Sequence, residues 1–140
     1  MIVLGDIALI GSCSSYVNSY ECESIFKEGA IANLETPLIE GQYSPKVSKG
    51  VLYGNSCNID VLKRFNVKCV GLANNHIHDM GKEGFISTLR VLQRSGIDYF
   101  GAGMTLKEAL QPLQIGERLY IAGFCMYNSP TLNDVKLAND

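Results

Sequence analysis

The sequence has no run of basic residues, its charged fraction is only 19%, and its formal net charge is −2. Phosphate contacts need clustered cations, so a nucleic-acid partner has no electrostatic footing here. No CxxC pair occurs, and the five cysteines (Cys13, Cys22, Cys57, Cys69 and Cys125) are odd in number and scattered. That spacing argues against a disulfide framework and for reduced thiols in a reducing compartment. No apolar run approaches the ~18 residues that a membrane span needs. The opening MIVLGDIALIG is apolar, yet it lacks a basic start and a small-residue cleavage site. It reads as a core strand rather than a leader, which predicts a cytoplasmic chain. If a leader was cut from a longer precursor, the cell envelope becomes the expected setting. Internal repeats and low-complexity tracts are absent as well.

What remains is an apolar chain of ordinary domain size. With 140 residues and 46% hydrophobic content, it suits one domain with a packed core. Met1–Leu4, Ala30–Leu34, Val67–Ala73 and Ile97–Phe100 are short apolar runs bounded by turn residues, as expected of strands buried on both faces. Between them lie segments of helical character. Residues 18–28 place Tyr20, Ile25 and Phe26 on one side. A second helix starts at Asn58 as N-cap, buries Ile59, Leu62 and Phe65, and ends at Asn66 in the left-handed conformation. The third, Glu83–Ser95, aligns Phe85, Ile86, Leu89 and Leu92, and Gly96 closes it. Thr105 and Glu108 form a capping box for a short helix that Pro112 stops. Leu113–Ile115 and Arg118–Phe124 flank Gly116-Glu117 as a type II′ hairpin. Residues 7–15, 37–50 and 128–140 read as loops. The alternation predicts a largely parallel α/β sheet with flanking helices.

In such a sheet, function gathers beyond the carboxyl ends of the strands. Three of those ends carry ligand-type residues: Gly5-Asp6, Asn33-Leu34-Glu35, and Asn74-Asn75-His76 with His78 and Asp79 just after. Parallel neighbours would bring Asp6, Glu35, Asn75 and His76 to one rim, with Asp79 nearby. Two carboxylates, an amide oxygen and an imidazole are a hard O/N ligand set suited to Mn, Mg, Zn or Fe. Plainer readings compete for each residue. Asp6 could cap a turn, and Glu35 could be a solvated loop residue. Asn74 and Asn75 could be turn residues that tolerate positive φ. His76 could be a structural hydrogen-bonder, and Asp79 could cap the helix beginning near Gly81. His78 reads as an exposed neighbour.

The segments GDI (5–7), NLETPL (33–38), ANNHIHDMGKEGF (73–85), GIDYFGAG (96–103) and TLKEALQP (105–112) resemble the CapA family of capsule and poly-γ-glutamate synthesis proteins, related to calcineurin-like metallophosphoesterases. The resemblance runs in order from about residue 1 to 125. It implies the N-terminal half of a four-layer α/β/β/α sandwich and a centre of two divalent metal ions. By that resemblance Asp6, Glu35 and Asn75 are metal ligands and His76 is the catalytic histidine. Asn33, Asn74 and Asp79 support them. The implied activity is hydrolysis by a metal-activated water, with an anionic polymer or a phosphoester as substrate. The implied alternative is a non-catalytic polymer-binding or assembly component. The family's downstream histidine-bearing stretches have no counterpart, since no histidine follows His78. The expectation is therefore a single domain incomplete at its C-terminus, with an uncovered sheet face and a tendency to self-associate.

Overall fold

The computed structural model describes residues 1–11, 26–42 and 50–126. The expected helix over 18–28 lies mostly outside them, as do the last residues of the chain. A four-stranded parallel sheet runs in the order β1-β2-β5-β6, built from β1 (Ile2–Ile7), β2 (Ala30–Leu34), β5 (Val67–Gly71) and β6 (Asp98–Phe100). Two short strands, β3 (Leu38–Ile39) and β4 (Gly54–Asn55), pair in parallel beside it, and β7 (Leu113–Ile115) and β8 (Leu119–Ile121) form a hairpin. The helices are α1 (Ile59–Arg64), α2 (Gly81–Arg94) and α3 (Leu106–Ala109). This is a mixed α/β architecture with a mostly parallel central sheet, as the alternation of strands and helices leads one to expect. No helix among the described residues is long and apolar enough to cross a membrane.

The core forms where the sheet meets α1 and α2. Leu34, Leu62, Val70, Leu72 and Leu92 are fully buried. Each contributes roughly 1.5–3 kcal/mol by leaving water. Helix α2 buries Phe85, Thr88, Val91 and Leu92 along one stripe. Thr88 belongs there because its hydroxyl is satisfied: Oγ1 donates to the Gly84 carbonyl at 2.8 Å and accepts from the Leu38 N–H at 2.9 Å. Ser87 Oγ accepts from the Glu40 N–H in the same way. Those bonds fix β3 inside the stretch 37–50 that reads as a loop in the sequence.

Other expectations need correction. β1 continues to Ile7 instead of ending at Leu4, and it is not buried on both faces, for Val3 is 75% exposed. Its burial alternates along the strand, as for a strand covered on one face, and β1 lies at one edge of the sheet with a single neighbour. Asn58 does not cap α1 with its side chain. It is buried and donates to the carbonyls of Leu9 and Gly11, while Asn55 accepts from the Cys57 N–H to start the preceding 3-10 turn. Gly54 sits where a Cβ would run into the Leu9 carbonyl, so the chain can pass Leu9 only at a glycine. The hairpin connection is three residues, with Ile115 paired to Leu119, so β8 is shorter than expected. Asn66 does adopt positive φ (49°), and Thr105 Oγ1 accepts from the Glu108 N–H as a capping box requires.

Candidate functional site

The carboxyl ends of β1, β2 and β5 meet on one edge because the three strands are parallel neighbours. Asp6 lies across from Asn33, and Asn33 across from Gly71. Between Val3 and Asp6 the β1 register slips by one residue against β2. Such a bulge re-aims the side chain that follows it. Here it delivers the Asp6 carboxylate to the Asn33 amide. Asn33 Nδ2 donates to Asp6 Oδ1 at 2.8 Å and to Glu35 Oε1 at 2.8 Å. The two carboxylates are thus tied through a single nitrogen.

Asn74 is the hinge between β2 and the turn after β5. Its Nδ2 donates to Asn33 Oδ1 (3.2 Å) and to the Leu34 carbonyl (2.8 Å). Its Oδ1 accepts the backbone N–H groups of His76 (3.0 Å) and Ile77 (2.9 Å). Both amide hydrogens and the carbonyl oxygen are therefore used, which suits a side chain that is buried. An asparagine fits this place because it supplies donors and acceptors on one short, rigid group.

The turn carries His76 to the rim, half-buried. Its Nδ1 lies 2.8 Å from Asp79 Oδ2, and its Nε2 lies 3.9 Å from Glu35 Oε2, beyond hydrogen-bond reach. An ionised carboxylate only accepts, so the proton sits on Nδ1. In the neutral ring that leaves the Nε2 lone pair facing Glu35 and the rim. Asp79 Oδ2 also accepts the Leu52 N–H at 2.8 Å. Asp79 is therefore not the cap of α2: Met80 holds that position and makes no side-chain cap bond. Leu52 had no signal in the sequence, because its contribution is a backbone N–H.

Asn75 is half-buried in the same turn, and none of the rim's hydrogen bonds among the described residues runs through its side chain. His78 is buried, not exposed. Its ring packs on Phe85 with centroids 4.8 Å apart, and its Nδ1 has no partner among the described residues. Burial lowers its pKa below the usual histidine value, against a smaller opposing pull from Asp79. His78 is thus a neutral core residue.

The donor chemistry of the rim suits a hard divalent cation, since Asp6 and Glu35 supply carboxylate oxygens and Asn75, in the neighbouring turn, carries an amide oxygen. In spacing, however, no three His, Cys, Asp or Glu side chains among the described residues gather as a cluster that could hold a metal ion. The nitrogen of Asn33 stands between the two carboxylates instead.

Comparison with known proteins follows the same line. A family model described as bacterial capsule synthesis protein PGA_cap matches residues 3–136. The capsule biosynthesis protein CapA of Bacillus anthracis is 25% identical over 120 residues, covering 77% of this chain and 29% of that protein. The PGA biosynthesis protein CapA of Bacillus subtilis (strain 168) is 31% identical over 90 residues, covering 62% of this chain and 24% of that protein. The chain therefore spans under a third of the length of these relatives.

Proposed function

The chain belongs to the bacterial capsule synthesis (PGA_cap) family, and from that premise we propose that it serves as a metal-dependent hydrolase of capsule or poly-γ-glutamate biosynthesis. The supporting observation is the meeting of Asp6, Glu35 and His76 on one rim, tied by Asn33 and Asn74. The bond attacked is a phosphoester or a γ-glutamyl-type linkage in an anionic substrate. What a divalent cation supplies when bound is Lewis acidity and the acidification of water. Mn, Zn, Mg and Fe are the candidates, two ions by the family resemblance, with Asp6, Glu35 and Asn75 as their ligands. His76 presents Nε2 to the rim and there takes or gives the proton as charge develops on the substrate. Asp79 holds the opposite nitrogen.

Charge favours this reading over a site that merely holds an anionic chain. Two carboxylates repel an anionic polymer unless a cation reverses the local sign, and among the described residues no lysine or arginine is paired with either. The test is metal retention after incubation with Mn²⁺ or Zn²⁺, for wild type, Asp6→Ala and His76→Ala. Phosphoesters and γ-glutamyl peptides are then assayed. Wild type is expected to retain metal, Asp6→Ala to lose it, and His76→Ala to keep metal while losing hydrolysis. A wild-type chain that retains none overturns the reading. Retention without turnover of any substrate points to polymer binding instead.

A further inference from the structure

A cavity of about 410 Å³ opens between the carboxyl ends of β5 and β6, helix α3 and the segment after β8. Its volume falls in the range of pockets that take a small organic molecule. Ala73, Gly101 and Gly123 meet in its wall. They approach so closely that a Cβ on Gly101 would stand 2.7 Å from the Ala73 Cβ and 3.1 Å from the Gly123 Cα. That junction therefore offers no long side chain to fill the space. Leu72, Ile77, Leu106 and Leu110 add apolar wall, the last two half-exposed. No acidic or basic side chain among the described residues lines the cavity. Two strongly hydrogen-bonding side chains do, Asn74 and His78. Asn74 has both amide hydrogens and its oxygen committed to the rim. His78 is 8% exposed and uncommitted. Its Nδ1 is sealed without a partner, and its Nε2 is neither sealed nor bonded among the described residues. Burying such a ring unpaired costs stability, and a ligand that bonds it recovers part of that cost.

We propose that this cavity is a binding site for an uncharged, mostly apolar small molecule whose hydroxyl hydrogen-bonds the His78 imidazole. The lining decides the class. Without a charged side chain, the cavity offers nothing to offset the desolvation of an ionised group, so an anionic chain has no partner in it. The apolar wall favours an aliphatic or aromatic body. A hydroxyl both donates and accepts, so it satisfies the neutral ring in either tautomer. The inference stands whether or not the carboxylate rim hydrolyses anything. Asn74 lines the cavity and braces the rim, so an occupant lies against the turn that carries His76.

The experiment is NMR titration of the full 140-residue chain with three probes of similar shape: 2-naphthol, 2-methylnaphthalene and 2-naphthoate. Wild type, His78→Leu and Ala109→Phe are compared. Ala109 lines the cavity, and a phenylalanine there fills part of it. In wild type, 2-naphthol is expected to shift the amide signals of Ala73, Gly101 and Ala109 saturably. 2-Methylnaphthalene should bind at the same place roughly 3–10-fold more weakly, for want of the hydrogen bond, and 2-naphthoate should not bind. His78→Leu should erase the preference for 2-naphthol, and Ala109→Phe should weaken both neutral probes. Equal affinity of the two neutral probes for wild type overturns the proposal. So does a preference that survives His78→Leu, or 2-naphthoate binding as tightly as 2-naphthol. Shifts confined to the exposed Leu119 and Tyr120 of the hairpin overturn it too, because they report loose adsorption. If His78→Leu does not fold, the wild-type ratio between the two neutral probes decides.

Discussion

His76 Nδ1 and Asp79 Oδ2 lie 2.8 Å apart, and the same carboxylate oxygen accepts the Leu52 N–H. One buried carboxylate therefore fixes both the ring of the rim histidine and a loop backbone N–H 27 residues away in sequence. Removing it leaves a ring nitrogen and a backbone N–H without their acceptor. Asp79→Ala is expected to destabilise the fold by about 1–3 kcal/mol, with Asp79→Asn milder because an amide oxygen can still accept. Urea unfolding of the two variants against wild type measures the difference.

Asn74 carries more bonds than any other rim side chain, two donated and two accepted. Asn74→Ala strands the Leu34 carbonyl and two N–H groups in a buried turn. The expected cost is roughly 2–4 kcal/mol, large for a single substitution. Asn74→Asp keeps the acceptor but turns a donor pair into a charge facing a carbonyl, so it should not rescue. Denaturant midpoints of both variants check this.

His78 gives the protein a pH dependence with a definite sign. Burial holds its folded pKa below the unfolded value of 6.5. The unfolded chain thus binds a proton that the folded chain refuses, and stability falls as pH drops below 6.5 toward the folded pKa. His78→Leu removes this slope and also removes the unpartnered Nδ1. Unfolding free energy measured from pH 7.5 to pH 5 should decline less for the variant than for wild type.

Cys69 and Cys125 should separate cleanly by reactivity. Cys69 is buried in β5, and burial, followed by the nearby Asp98, pushes its pKa up to about 11. Cys125 is exposed. At pH 8 the thiolate is the reactive form, so iodoacetamide should label Cys125 and spare Cys69 until the chain unfolds. Peptide mass spectrometry before and after adding urea reads this directly. Early labelling of Cys69 would mean that β5 opens locally.

The order of strands and the residues at their ends were legible from sequence, because apolar runs stop sharply at Gly5-Asp6, Asn33 and Asn74. The parallel pairing then brings those ends together. Harder to see were choices made across long separations. Asp79 offers the sequence a helix cap three residues on, but its acceptor is taken by His76 and by Leu52. Asn58 looks like a cap for α1, yet carbonyls 47 and 49 residues away claim its amide. His78 reads as solvated until Phe85 is seen against its ring. In each case a local rule lost to a partner that only the folded chain supplies.

The span of the Asn33 and Asn74 bonds also bears on the order of folding. Asp6 to Asn33 is 27 residues, and Asn33 to Asn74 is 41. Both contacts cross parallel strand pairs, which cannot close as local hairpins and carry the entropy of a long loop. The rim bonds can close only once β2 lies against both β1 and β5. A cation offered to the chain early in refolding meets scattered carboxylates rather than a site. Metal present from the start of refolding should leave the folding rate unchanged and act only by slowing unfolding of the finished product, which stopped-flow refolding and unfolding with and without Mn²⁺ would show.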